Sequence, residues 1–578
     1  MSDPSEKMAL TIVDTTGIQA YIFGTNTLRH HMGASWLVDW ATQDAVHKTV
    51  LELRDDIQAN IDTNGKIDPD KRIEDSQQKL DVELLYSGGG NAVLIFRKMT
   101  EAHTFTQQLT RKILEDAPGL QLVVTHICLD WEHDILANKF SELRKAANQK
   151  KHERYPSMPL LGLGVTADCQ FTDLPAEREV KDIDGNLLRV SGEVQAKLDH
   201  FDDARQRLYE EVQSVLRPDL DFVYDFDQIG DKGESSFLAV VHIDGNDMGT
   251  RFAAIARKHA AVENNRAYIC AIRRLSARVK EISRNALRQT VEELQNAIHK
   301  HDPGKGRIGG KVPLSRKGKE LRLPFRPIVY GGDDVTFVCD GRLGLTLAAH
   351  YLEAMQQSLP LVQDENTSDE NASLAKSHDT LFVRAGVAVV NNHYPFSRAY
   401  ALAEELAQSA KEKIQKYSKD KLVSALDWHF AVNGLAMELD TLRDRDYETA
   451  DGSLLLRPLL LIEQPTPEHW QTWPFFKRLM GNFLDKPEWV NSRNKLIGYG
   501  EALRSGPNAA KQFRAALKRD AYLEVPFGDE TAKACGWYKE CAVHYDAVEA
   551  FDFFVRLQPD AAEGTITNAQ STGQGRQS

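Results

Sequence analysis

Gly331, Gly332, Asp333 and Asp334 interrupt an otherwise apolar stretch, LPFRPIVYGGDDVTFVCD, that runs from Leu323 to Asp340. β-branched runs on either side mark a β-hairpin with paired carboxylates at its tip. Adjacent glycines let the backbone turn at positive φ and admit a bulky group, and adjacent acids repel unless a cation lies between them. A magnesium-bound triphosphate meets both demands. Gly-Asp turns are also ordinary hairpin connections, so the tip acquires a chemical meaning only if other groups join it. Asp244 is such a group, at the end of the apolar run in FLAVVHIDGNDMGT from Phe237 to Thr250. Three carboxylates converging on one sheet edge require divalent metal, and an all-oxygen set selects Mg2+ or Mn2+ over zinc. Two such ions about 4 Å apart can activate a hydroxyl and stabilise a leaving pyrophosphate.

The turn after Asp244, formed by Gly245, Asn246, Asp247, Met248 and Gly249, would offer backbone N–H groups and a helix N-terminus to the phosphates. Asp247 reads as a helix N-cap in preference to a metal ligand. Lys411, in the helical segment AEELAQSAKEKIQK, is expected to reach the triphosphate.

Elements that could position these groups recur twice. Residues 8–130 read as β-α-β-β-α-β, with a glycine-rich hairpin tip at Gly88, Gly89, Gly90 and Asn91; residues from Phe237 to Tyr417 repeat the order with the GGDD tip. This is the signature of a ferredoxin-like sheet with helices on one face, in which the first strand lies beside the hairpin. The fold class is therefore α+β: two ferredoxin-like palm domains, a partly helical connector and a C-terminal helical domain. The expected boundaries are 1–131 for the first palm, 132–235 for the connector, 236–435 for the second palm, 436–560 for the helical domain and 561–578 for a disordered tail. A polar loop is expected at 364–379. Trp428 and His429 are expected to pack and hydrogen-bond where the second palm meets the helical domain.

At 578 residues the chain is too long for one core. A net charge of -13 argues against a surface that grips nucleic acid throughout. One local exception is the stretch 300–326, where nine Lys and Arg stand against two acids; it could touch an RNA backbone, steer ATP or simply be a solvated loop. Six cysteines without a CxxC pair read as reduced thiols and make a structural zinc site unexpected. No basic N-terminal region with an apolar segment and no long apolar run are present, so a cytoplasmic protein without a membrane partner is expected.

TTGIQAYIF, YSGGGN, HIDGNDMG, LPFRPIVYGGDD, VRAGVAVVNNHYPFSRAYALAEELAQSAK and SALDWH, in this order over roughly residues 8–435, together resemble the large polymerase-cyclase subunit of type III CRISPR effector complexes. The resemblance implies two palms of the polymerase and nucleotidyl cyclase type, each with a nucleotide. It maps catalytic and metal-binding acids onto Asp244, Asp333 and Asp334. By the same mapping one ATP attacks the α-phosphate of another to build a cyclic oligoadenylate or cyclic dinucleotide, and the GGGN tip, Gly88 to Asn91, positions the acceptor. Partners would be effector subunits with guide and target RNA, unless the protein acts alone. A cyclase using GTP and a non-catalytic nucleotide-binding scaffold are the alternatives. His301-Asp302 lacks the further histidines of the family's nuclease site, so no DNA nuclease is expected, and Cys169 reads as a remnant of the family's zinc-binding cysteines.

Overall fold

The computed structural model describes residues 7–153, 163–181, 185–230, 236–299, 306–318, 320–356, 380–417, 422–431, 438–490, 492–516 and 523–557. The anticipated loop at 364–379, the tail at 561–578 and His301-Asp302 lie outside these residues.

Strands β1 (Met8–Thr16), β2 (Val82–Gly88), β3 (Asn91–Phe96) and β4 (Gln121–Leu129) form one antiparallel sheet in the order β2-β3-β1-β4. Its strands are apolar on both sides. Leu10 and Ile12 pack toward α4 (Leu136–Glu153), and Ala9 and Val13 pack toward α2 (Leu28–Thr42) and α3 (Met99–Asp116). The expectation of helices on one face is thus corrected: a near-continuous apolar strand needs cover on both sides, as in α/β sheets.

The second sheet is built from β6 (Phe237–Gly245), β8 (Phe325–Val329), β9 (Val335–Asp340), β10 (Val383–Asn391), β11 (Ala425–Ala431) and β12 (Leu459–Leu460), reached through α5 (Phe201–Val212), β5 (Leu220–Phe222) and β7 (Glu320–Leu323). Its order, β8-β9-β6-β10-β11-β12, begins with the arrangement seen in the first sheet: hairpin, first strand, last strand. β11, the SALDWH strand, adds in parallel beside β10. Trp428 is fully buried against Phe476 of α10 (Trp473–Asp485), with ring centroids 5.0 Å apart. Trp428 and His429 pack as anticipated, but Trp428 Nε1 and His429 Nδ1 have no hydrogen-bond partner among the described residues. Burial pushes the His429 imidazole down to about 3, so it stays neutral.

The first sheet and the second share a core. Ala9 and Val13 of β1 belong to the same apolar cluster as Leu238 and Val240 of β6, together with residues of α2 and of α9 (Phe396–Tyr417). α1 (Ile18–Phe23) stacks Phe23 on Tyr400 of α9 at 4.4 Å. Between β6 and the hairpin the chain makes α6 (Met248–Lys258) and then a 32-residue helix, α7 (Asn265–Asn296), which ties the palms electrostatically. Glu83 of β2, with no exposed side-chain surface, accepts hydrogen bonds from Arg266 at 2.7 Å, Arg273 at 2.9 Å and the Ile73 N–H at 3.0 Å. Removing this carboxylate leaves Arg273 with only the Leu84 and Leu85 carbonyls, and Arg266 with only Glu74, as hydrogen-bond partners among the described residues, in a poorly solvated place. Glu83→Ala should therefore lower the unfolding free energy by about 3–5 kcal/mol in urea denaturation; a loss below about 1 kcal/mol would show that the network does not hold the palms.

Candidate active site

Antiparallel pairing decides what stands beside the GGDD tip. β6 and β9 pair Ile243 with Val335, so the next step of the register sets Asp244 opposite Asp334. Gly245 makes the approach possible: a Cβ there would lie 2.8 Å from the Asp333 Cβ and 3.3 Å from the Met248 Cγ. Asp244, Asp333 and Asp334 are thereby gathered at one sheet edge.

The charges of this edge act on one another. Burial raises the Asp334 carboxyl to about 8, with further contributions from Asp244, Asp333 and Glu404. About half of the Asp334 side chain, 53%, is exposed, so the repulsion is the part of that shift a cation can relieve. Asp333 is raised by burial and then by Asp244. His242, kept below its usual value by burial, has Nδ1 3.5 Å from Asp334 Oδ1. Arg384 on β10 supplies the countercharge: it bonds Asp244 Oδ2 and donates to the Gly245 carbonyl at 3.2 Å and to Asn246 Oδ1 at 3.1 Å. Asn246 is pinned by its N–H on the Phe382 carbonyl at 2.9 Å and by its side chain on the Val423 carbonyl at 3.2 Å.

Asp247 occupies the N-cap position of α6 in the left-handed region, φ 58°, and its side chain makes no capping hydrogen bond. The reading of Asp247 as a side-chain cap is therefore corrected; the backbone turn, at a φ that few non-glycine residues adopt, occupies the place of a cap. Lys411 lies seven residues, roughly 10 Å of helix rise, beyond Glu404 on α9, half-buried. Among the described residues no group of three or more His, Cys, Asp or Glu is gathered around one metal position. In donor type the three carboxylates fit a hard divalent cation, and the raised protonation of Asp333 and Asp334 shows the charge such an ion would offset; in arrangement Asp244 is engaged by Arg384.

Residues 237–423 match the family model of the Cas10/Cmr2 second palm domain. The chain has a two-palm fold, and its second palm is similar to that of Cas10/Cmr2. Structures similar to it include a Csm1–Csm4 cassette in complex with one ATP, at 14% identity and a TM-score of 0.50, covering 96% of this chain and 70% of that one. A cassette in complex with cA4 has 12% identity and a TM-score of 0.48 over 96% and 70%, and Csm1 of T. onnurineus has 14% and 0.46 over 95% and 70%. At these identities the likeness concerns the fold. No curated protein sequence matches the chain.

The first palm holds an acid that no motif marks. β1 and β3 pair Asp14 with Asn91, which places Asp14 where the second palm has Asp244 and Asn91 where it has Asp334. Three residues on, Gly17 adopts φ 66°, the conformation of Asp247. Asp14 is ion-paired with Lys151 of α4 at 2.6 Å. Gly88, Gly89 and Gly90 all take positive φ, and the Gly90 carbonyl accepts from the Thr15 N–H at 2.9 Å and hydroxyl at 2.7 Å. The first palm also reaches the second palm's site: Gln19 donates to the Tyr400 hydroxyl at 3.0 Å and to Glu404 at 3.3 Å. Arg384, Glu404 and His242 were equally unmarked; an arginine inside the apolar strand VRAGVAVV was the available signal.

A carboxyl whose protonation is raised in the folded state contributes stability that is complete below about pH 4 and is lost as pH rises toward 8. In EDTA, Asp334→Asn should therefore melt at the same temperature as wild type near pH 4 and higher by about 2 °C or more at pH 8. A gap that stays constant with pH would contradict the repulsion described for this edge.

Proposed function

We propose that the second palm is a metal-dependent nucleotidyltransferase that joins ATP into a cyclic oligoadenylate or cyclic dinucleotide, a signal in type III CRISPR-like defence. The observation that carries this reading is the gathering of Asp244, Asp333 and Asp334 at one sheet edge, where the Asp333 and Asp334 carboxyls are raised by burial and by neighbouring acids. The Cas10/Cmr2 second-palm match and the nucleotides bound by the similar cassettes, one ATP and cA4, support it.

In this reading Asp244, Asp333 and Asp334 hold one or two Mg2+ or Mn2+ ions, which when bound would stabilise negative charge on the phosphates and favour an ionised attacking hydroxyl. The chain's own groups do the positioning. With the Asn246 N–H held by the Phe382 carbonyl, the N–H groups of Asp247, Met248 and Gly249 at the N-terminus of α6 face the phosphates; the glycines of the hairpin leave room for them. Arg384 holds the Asp244 turn in place through the Gly245 carbonyl and Asn246. Lys411 extends toward the triphosphate from α9. The first palm, with Lys151 already neutralising Asp14 and Asn91 in place of an acid, binds and orients the acceptor nucleotide without metal. GTP in place of ATP is the corresponding alternative for the base.

A second reading rests on the Arg384–Asp244 ion pair: a palm whose first acid is already neutralised can serve as a nucleotide-binding scaffold subunit, beside a Csm4-like partner and RNA. Incubation with ATP and Mg2+ or Mn2+, with and without target RNA, separates the two by mass spectrometry of the products. Cyclic adenylates are expected, reduced more than about 100-fold in Asp333→Ala/Asp334→Ala, since even an outer partner of a metal ligand is worth ~10–100-fold. ATP binding without product under every condition would favour the scaffold.

A further inference from the structure

Part of the basic stretch at 300–326 lies far from solvated. Arg322, 5% exposed, and Arg326, 2% exposed, project from β7 and β8 onto the ring of Tyr224, with guanidinium carbons 4.6 and 5.4 Å from its centroid. Arg205 of α5 reaches the same ring at 4.6 Å, and Arg29 of α2 lies 5.2 Å from the centroid of Phe201. Arg322 opens, with Arg29, Arg205, Lys317, Phe201 and Tyr224, onto a cavity of about 490 Å3, within the range of about 300–1,000 Å3 typical of small-ligand sites.

Charge along this cavity is unbalanced, although Arg205 also pairs with Asp202 outside the lining at 3.1 Å. Its described lining has four cations against two carboxylates, Asp221 and Glu320. Asp221 is engaged by the Tyr224 hydroxyl and lies 3.8 Å from Arg205; Glu320 is exposed. Arg322 donates from Nη1 to Gln228 at 2.9 Å, while Nε of Arg322, Arg29 and Arg326 is buried with no hydrogen-bond partner among the described residues. Behind the lining, on the same Tyr224 ring, burial pulls the Arg326 guanidinium down to about 10, still cationic at neutral pH. A buried guanidinium N–H without an acceptor is costly, and planar, bidentate acceptors suit it best. Guanidinium planes stacked on aromatic rings also offer faces to a nucleobase.

We propose that this cavity is a second nucleotide site, separate from the acidic edge, which takes one nucleotide unit with its phosphate on the guanidinium groups and its base against their stacked faces. The unit can come from a single-stranded RNA or from a free nucleotide, since both present the same phosphate and base. β7 runs directly into β8, the strand that leads to the GGDD tip, so an occupied cavity would sit at the root of the catalytic hairpin.

Two variants test this. Arg322→Gln removes the buried donor; Arg205→Glu, at a side chain 42% exposed, reverses a charge with little risk to folding, which a melting curve would verify. Fluorescein-labelled ten-nucleotide oligouridylate is titrated at several salt concentrations, and ATP is titrated without divalent metal, against wild type, both variants and Asp334→Asn. Roughly tenfold weaker RNA binding in both variants, with a salt dependence shallower by about one ion and no change in Asp334→Asn, establishes the site as one for a strand. The same loss confined to ATP establishes it as one for a free nucleotide. Arg205→Glu binding both probes as wild type does, or wild type binding neither, overturns the proposal.

Discussion

Mutual repulsion among three carboxylates held at one sheet edge is the constraint on which the rest of the second palm depends. The register of β6 against β9 sets Asp244 opposite Asp334, and Gly245 lets Asp333 close on the same turn. Such an edge is stable only with a countercharge. Arg384 supplies one from within, from the strand on the other side of β6, and its remaining donors fix the turn that would face phosphates. The acidic edge and its cationic clamp are thus one unit, and a divalent ion would share or replace the role of the guanidinium.

Seen this way, the two palms are the same scaffold with different charge. Each has a first strand beside a hairpin, an acid near the end of that strand and a left-handed residue three positions later. In the first palm a lysine from α4 neutralises the single acid and an asparagine faces it, so no cation is required. In the second palm three acids face one arginine and the deficit remains. The packing between the palms brings Gln19 to Tyr400 and Glu404, whose charge acts on Asp334, so the first palm touches the surroundings of the second palm's acidic edge.

Much of this was legible in the residues because strand alternation and hairpin punctuation are local signals. The two β-α-β-β-α-β units and the edge acids of the second could be placed from periodicity and glycine alone. Asp14 was not, since it carries no motif: only pairing with Asn91 gives it meaning, and pairing is a long-range property. Arg384 was hidden for the same reason, one residue in an apolar run until β10 is laid against β6. Asp247 was misread because Asp at a helix start ordinarily caps through its side chain, whereas here the backbone itself turns left-handed. The arginine cavity drew residues from three separated segments, and its lining could not be assembled from the basic stretch alone.

Manganese uptake tests the central claim most directly. At pH 7.5, with ATP present, wild-type protein should remove the free Mn2+ signal in electron paramagnetic resonance at low-micromolar to submillimolar metal, and Asp333→Asn should restore most of it. Equal uptake by both proteins, or none by wild type, would contradict the view that the acidic edge exists to be completed by a divalent cation.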